Sequence, residues 1–365
     1  MKVPFNDLTW QWRHIEEGVR SDFDRVFASS QFSSGPFVEA FERQIAEWLG
    51  VPHAIGVNSG TSALHLALLS AGVRSGDEVL LPAHTFIGSA WGILYIGAIP
   101  VFCDVDDETG TIDVEVARRL VTPRTRAVVP VHLYGQPANM DAVLSFALDY
   151  DLKVIEDAAQ SIGATWNGRS TGSLGELGCI SFYPGKNLGA AGEAGLIVTS
   201  DDRYAGRLRS LRNHAQTDRY VHAELGFNYR MDGLQAVVLT HKLPLLSAWT
   251  KRRTELANQY IAKLEGLPLE IPSVRHQTHC WHLFVVRTPS RNLLRDALSK
   301  SGIETGLHYP VPLHRQPAMS AYVKPGTAYP VSDRWADEGL SLPLFVGMTD
   351  EQLDYVVKTV ATFYR

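Results

Sequence analysis

Residues 179–200 read CISFYPGKNLGAAGEAGLIVTS. Two apolar runs, CISFY and GLIVTS, flank a loop with a single lysine, Lys186, and glycines at 185, 189, 192 and 195. Short, β-branched, nearly continuous runs predict strands covered on both faces. Five more precede them: HAIGV (53–57), EVLLPA (78–83), PVFCDV (100–105), RAVVPVHL (126–133) and KVIEDA (153–158). Helical segments follow the first, third and fourth: SALHLALLSAGV, DVEVARRLV and MDAVLSFALDY. That alternation predicts an α/β fold, a seven-stranded, mostly parallel sheet flanked by helices. The last two strands are joined only by the lysine loop, so helical crossovers stop there.

Beyond Gly233 a long helical stretch, 234–264, carries Pro244 as an expected kink. HLFVVRT then reads as a strand, NLLRDALSKSG as a helix, and residues 349–364 as a closing helix with a Thr349/Gln352 capping box. The expected division is a large domain over 1–240 and a smaller α/β domain over 241–365.

The chain has 365 residues, 45% hydrophobic and 20% charged, with formal net charge −5. The charge argues against broad nucleic-acid binding. MKVPFNDLTWQW has no apolar signal core, and no apolar run is long enough to span a membrane. Cys103, Cys179 and Cys280 form no CxxC pair and no zinc spacing, so free thiols in a reducing cytoplasm are expected, and no metal.

Three stretches carry chemistry. In HAIGV-NSGTS-ALHLALL a strand gives way to a helix near Thr61, and a helix N-terminus suits a phosphate; the same residues also fit plain capping by Ser59 or Thr61. In KVIEDAAQSIGA, Asp157 ends a strand where open α/β sheets bind ligands. Its carboxylate needs a cation or a rich hydrogen-bond set, or serves as a helix cap. Glu156 faces the other side. In the third, Lys186 is either a solvated surface lysine or an amine whose pKa falls in a dry site, making it a nucleophile. The glycines are read as letting the backbone approach a ligand. A phosphate cradle, a buried acid and a reactive amine on one sheet meet the needs of pyridoxal 5′-phosphate.

The sequence resembles the DegT/DnrJ/EryC1/StrS sugar aminotransferases, within the aspartate-aminotransferase fold. The segments are NSGTSALHLAL, PAHTFIGSA, VHLYGQPANMD, VIEDAAQSIGA, SFYPGKNLGAAGEAG, GFNYRMDGLQA, HYPVPLH and SLPLF. The resemblance implies Lys186 as Schiff-base lysine and proton carrier, and Asp157 as partner of the pyridinium nitrogen. It implies Gln160 on the cofactor's 3-hydroxyl and Phe86 stacked on its ring, although Phe86 also fits a core position. Gly60, Thr61, Ser62 and Ser181 would hold the phosphate. Asn228 would reach it from a neighbouring subunit, which implies a homodimer with active sites at the interface.

The implied reaction moves an amino group from L-glutamate to a nucleotide-linked keto sugar. Lys186 argues against the dehydratase branch, where histidine replaces the lysine. The loop SFYPGKNLGA, with Tyr183 and Gly185, resembles members acting at C-3 of dTDP-3-oxo-6-deoxyhexoses; C-4 and amino-cyclitol enzymes, and a non-catalytic regulator, are the alternatives. Tyr183, Tyr309 and His314 are candidate sugar contacts. His282 is read as a packed or interfacial ring.

Overall fold

The computed structural model describes residues 1–272 and 277–365. All seven expected runs are strands: β1 (His53–Val57), β2 (Glu78–Pro82), β3 (Ile99–Cys103), β4 (Thr125–Val128), β5 (Lys153–Asp157), β6 (Leu177–Ser181) and β7 (Gly195–Thr199). They form one sheet in the order β1-β7-β6-β5-β4-β2-β3. Only β7 runs antiparallel, to β1 and β6. The glycine-rich loop between β6 and β7 holds no crossover helix, and antiparallel neighbours need none.

Side chains alternate across the sheet, so each face has its own core. Ile55, Leu81, Ile155 and Ile197 pack against helix α1 (Gly60–Ser70). Leu80, Val128 and Val154 pack against the helix Met140–Asp149, and Ile180 and Val198 against the helix Pro36–Leu49. Nine of the eleven residues of α1 are buried, so its N-terminus is held rigidly over the sheet edge.

The long helical stretch divides at Pro244, as expected. Helix α2 (Gly233–Lys242) passes through a 3-10 turn at Leu243–Leu245 into α3 (Leu246–Leu264). An antiparallel pair follows, β8 (Phe284–Arg287) and β9 (Gly339–Leu342). With α3, α4 (Arg291–Lys300) and α5 (Asp350–Phe363) it encloses a separate core around Tyr260, Phe284, Leu298 and Val356, which Val3 joins from the N-terminal segment. Thr349 and Gln352 form the expected capping box. The three cysteines are free and buried. No helix among the described residues is long and apolar enough to cross a membrane.

Candidate active site

The carboxyl ends of β1, β5 and β6 converge on a cavity of about 680 Å³. Nine of the candidate residues line it together: Gly60, Thr61, Phe86, Asp157, Gln160, Ser181, Tyr183, Lys186 and Tyr309.

The first wall is the start of α1. Helices leave their first-turn amides without intrahelical acceptors. Ser59 Oγ takes the N–H of Ser62 at 3.0 Å and the Ser59 carbonyl takes that of Ala63. The amides of Gly60 and Thr61 remain for a ligand, backed by the helix dipole. Ser59 is therefore the cap, and capping and anion binding coexist. Ser62 spends its amide on that cap and is buried. A Cβ on Gly60 would lie 2.8 Å from the Ser181 Cβ, so glycine is what lets β6 lie beside the helix start.

The second wall is β5. Asp157 is 4% exposed and caps no helix. It accepts the Ser89 hydroxyl at 2.7 Å and the Ala159 amide at 3.1 Å. Burial pushes its pKa up; Ser89, the Ala159 amide, Lys186 and His132 pull the other way. Glu156 does point to the opposite face. It accepts three backbone amides of the GSLGELG turn, from Gly172, Leu174 and Gly175, at 2.6–2.8 Å. His132 Nδ1 accepts the Ala138 amide, so its proton sits on Nε2 and is donated to Glu156 at 2.9 Å. This buried cluster fixes the strand that presents Asp157.

Lys186 is half-buried and lines the cavity. Burial lowers its pKa to about 8, against the opposing pull of Asp157. It is a nucleophile in reserve rather than a solvated lysine. The loop glycines act differently from the expectation. Only Gly185 lines the cavity. A Cβ on Gly189 would lie 2.2 Å from the Pro184 carbonyl oxygen, and one on Gly195 2.3 Å from the Ser59 carbonyl carbon. These glycines bring backbone close to backbone, not backbone to ligand.

Phe86 is 52% exposed and meets the Tyr309 ring at 5.4 Å, which excludes a core role. Gln160 Oε1 accepts the Tyr134 amide at 2.7 Å, so its Nε2 donates to Tyr309 Oη at 2.9 Å. The Tyr309 proton is thereby left for the cavity. Tyr183 stands at the rim, 55% exposed.

Three candidates do not line the cavity: Ser62, whose amide is spent on the cap, His314 and Asn228. His314 turns away in a short 3-10 segment, where its Nε2 lies 2.8 Å from Asp333 and its ring stacks on Tyr329 at 4.3 Å. Asn228 does not line the cavity of its own chain; its backbone bridges to Asn213. Conversely, His282 is not a merely packed ring. It lines the cavity with its Nδ1 buried and unpartnered. Arg253 and His308 also line it, and no local sequence signal marked them.

The fold and this wall of amides, acid and amine fit the class of pyridoxal-phosphate-dependent aminotransferases. The sequence pattern of the DegT/DnrJ/EryC1/StrS aminotransferase family matches residues 13–361, and the chain belongs to that family. It is 42% identical over 345 residues to the dTDP-3-amino-3,4,6-trideoxy-α-D-glucose transaminase of Streptomyces venezuelae, covering 94% of this chain and 91% of that protein. It is 41% identical over 369 residues to a pleiotropic regulatory protein of Geobacillus stearothermophilus, covering 100% and 99%. The crystal structure of S. venezuelae DesV in complex with a ketimine intermediate superposes with a TM-score of 0.97 at 40% identity, over 100% of this chain and 99% of that one.

Proposed function

We propose that this chain transfers an amino group from L-glutamate to the C-3 ketone of a dTDP-linked 3-oxo-6-deoxyhexose. The observation that carries the reading is the buried Lys186 amine beside the buried Asp157 carboxylate, at the mouth of a helix with two free amides. Those groups fit pyridoxal phosphate: the amides of Gly60 and Thr61 with Ser181 would take its phosphate, Asp157 its ring nitrogen, Gln160 its 3-hydroxyl and Phe86 its face. Bound there, the cofactor supplies an electron sink for carbanion character at the reacting carbon. Lys186 anchors it and moves the proton at that carbon, acting first as base and then as acid. Its lowered pKa keeps a useful neutral fraction near pH 7 for that task. Tyr309 and Tyr183 orient the sugar. Asn228 reaches the phosphate of the partner subunit, so the working unit is a homodimer, in the cytoplasm. The large and small domains, 1–240 and 241–365, close the cavity between them.

The C-3 preference draws on the loop around Tyr183 and on relatives named for C-3 amino sugars, in Streptomyces venezuelae and also in Aneurinibacillus thermoaerophilus. The test is to load the protein with pyridoxal phosphate, add L-glutamate, then supply a dTDP-3-oxo- or dTDP-4-oxo-6-deoxyhexose. Bleaching of the visible band by glutamate and amination of the 3-oxo sugar are expected. A colourless protein overturns the cofactor; an unbleached one points to a non-catalytic regulator; amination of the 4-oxo sugar alone overturns the regiochemistry.

A further inference from the structure

We propose that Arg253 and His282 form the subsite for the α-carboxylate of the amino-acid donor. The inference rests on the aminotransferase reading above and names a ligand contact within the same cavity.

Arg253 lies on α3 and is 2% exposed, yet it lines the cavity. Its Nη1 donates to the carbonyls of Trp281 and Leu344 at 3.0 Å and to that of His282 at 3.5 Å. Its Nε is buried and has no partner. Among the described residues it forms no ion pair with any carboxylate. Asp157 and Glu193, the acids lining the cavity, are not joined to it. A guanidinium offers five N–H groups in a planar fork shaped for a carboxylate. A buried cation without a counter-charge is costly, and one anion offsets that cost. Burial lowers its pKa to about 10, so it stays cationic at neutral pH.

His282 supplies the second unpartnered group, a buried Nδ1 in the same wall. Its pKa is driven well down by burial and by the Lys186 and Arg253 charges, so the ring is a neutral hydrogen-bonding group. This wall is tied to the lysine loop: Asn187 donates to the Cys280 carbonyl at 2.9 Å, two residues before His282. His282 feels the Lys186 charge, and that selects the anion. In an amino acid the α-carboxylate is bonded to the reacting carbon, whereas the diphosphate of a nucleotide sugar is several bonds from C-3.

The test compares wild type, Arg253→Lys and His282→Gln, each loaded with pyridoxal phosphate. Bleaching by L-glutamate and re-colouring of the amine form by keto sugar are followed separately. Arg253→Lys is expected to raise the concentration of glutamate needed for half-maximal bleaching by about 30-fold, and His282→Gln by about fivefold, from lost charge-assisted hydrogen bonds. The keto-sugar requirement should move by less than about threefold on the same scale. Equal losses in both halves, or an unchanged glutamate requirement, overturn the proposal. Should Arg253→Lys not fold, His282→Gln decides, since it leaves the three carbonyl contacts intact. A separate arm uses apoprotein: 2-oxoglutarate should raise the melting temperature of wild type and not of the variants. A wild type that shows this rise but does not bleach with glutamate fails as an aminotransferase while keeping the anion site; no rise and a normal bleach overturns the site alone.

Discussion

The cavity has two walls of opposite electrical character. The sheet wall, from Gly60, Thr61, Asp157 and Ser181, has its acid already held: Asp157 has Ser89 and Ala159, the strand behind it is pinned by Glu156 and His132, and the amides of Gly60 and Thr61 stand open to a ligand. The C-terminal wall, from Arg253, His282, His308 and Tyr309, holds a buried cation and two unpartnered nitrogens. A wall whose acid and strand are fixed in advance suits a ligand that stays bound through every turnover. A wall with an uncompensated cation suits ligands that come and go, since each brings the missing charge and leaves with it.

That difference predicts how each wall fails. Lys186→Ala belongs to the sheet wall and should abolish both half-reactions, with turnover down on the order of 10^4-fold or more. The covalent link, read as a borohydride-fixed absorbance band, should vanish with it. Survival of one half-reaction would break the division of labour.

Asp157→Asn should lower turnover by about 10²-fold in both halves, because the charge that would face the cofactor ring is lost. It also reports through pH. In the folded apoprotein the Lys186 pKa, about 8, lies below its ordinary value of 10.5. Between those values the unfolded chain binds more protons, so this group makes stability rise with pH across that window and fall as pH drops toward 8. Cofactor capture by apoprotein should follow the neutral amine with a midpoint near pH 8. Asp157 raises the lysine pKa, so Asp157→Asn should shift that midpoint lower; an upward shift would mean that the Asp157 charge does not favour the protonated amine.

Gly195→Ala sharpens the contrast by leaving every charge in place. Its Cβ would lie 2.3 Å from the Ser59 carbonyl carbon, so the turn before α1 must move. The expected cost is about 1–3 kcal/mol in denaturant unfolding, together with weaker cofactor retention. Unchanged retention would show that the helix start is not the phosphate seat.

The two walls also differ in how they were encoded. Gly60, Asp157, Ser181 and Lys186 sit at or just beyond strand ends, so each carries a local pattern of strand, turn and small residue. The seven-stranded sheet was legible for the same reason. Arg253 lies mid-helix in an ordinary amphipathic run, and His282 precedes an ordinary strand. Their meaning arises only when α3 and β8 pack together, which no short window records. HYPVPLH divides between the cases: His308 and Tyr309 face the cavity, while the 3-10 turn carries His314 to Asp333. The loop glycines were assigned to a ligand because sequence shows glycine but not its neighbour.

The smallest effect tests whether the second wall depends on the framework behind it. Helix α5 packs on α3, which carries Arg253. Its start is held by the Thr349 hydroxyl, which accepts the Gln352 amide at 3.2 Å, and by Gln352 Oε1, which accepts the Thr349 amide at 3.0 Å. Arg252 adds bonds to the Met348 carbonyl and to Asp350, each at 3.0 Å. Thr349→Ala removes the cap but leaves the Arg252 contacts, so the loss should be about 0.5–1 kcal/mol of stability. Glutamate and keto-sugar requirements should both stay at wild-type values. Arg253 is held by three carbonyls that the cap does not touch, so a small loosening of α5 should stop at its own first turn. A rise in the glutamate requirement alone would mean that the donor wall shares the mobility of α5, and that its unpartnered nitrogens are set by packing at a distance.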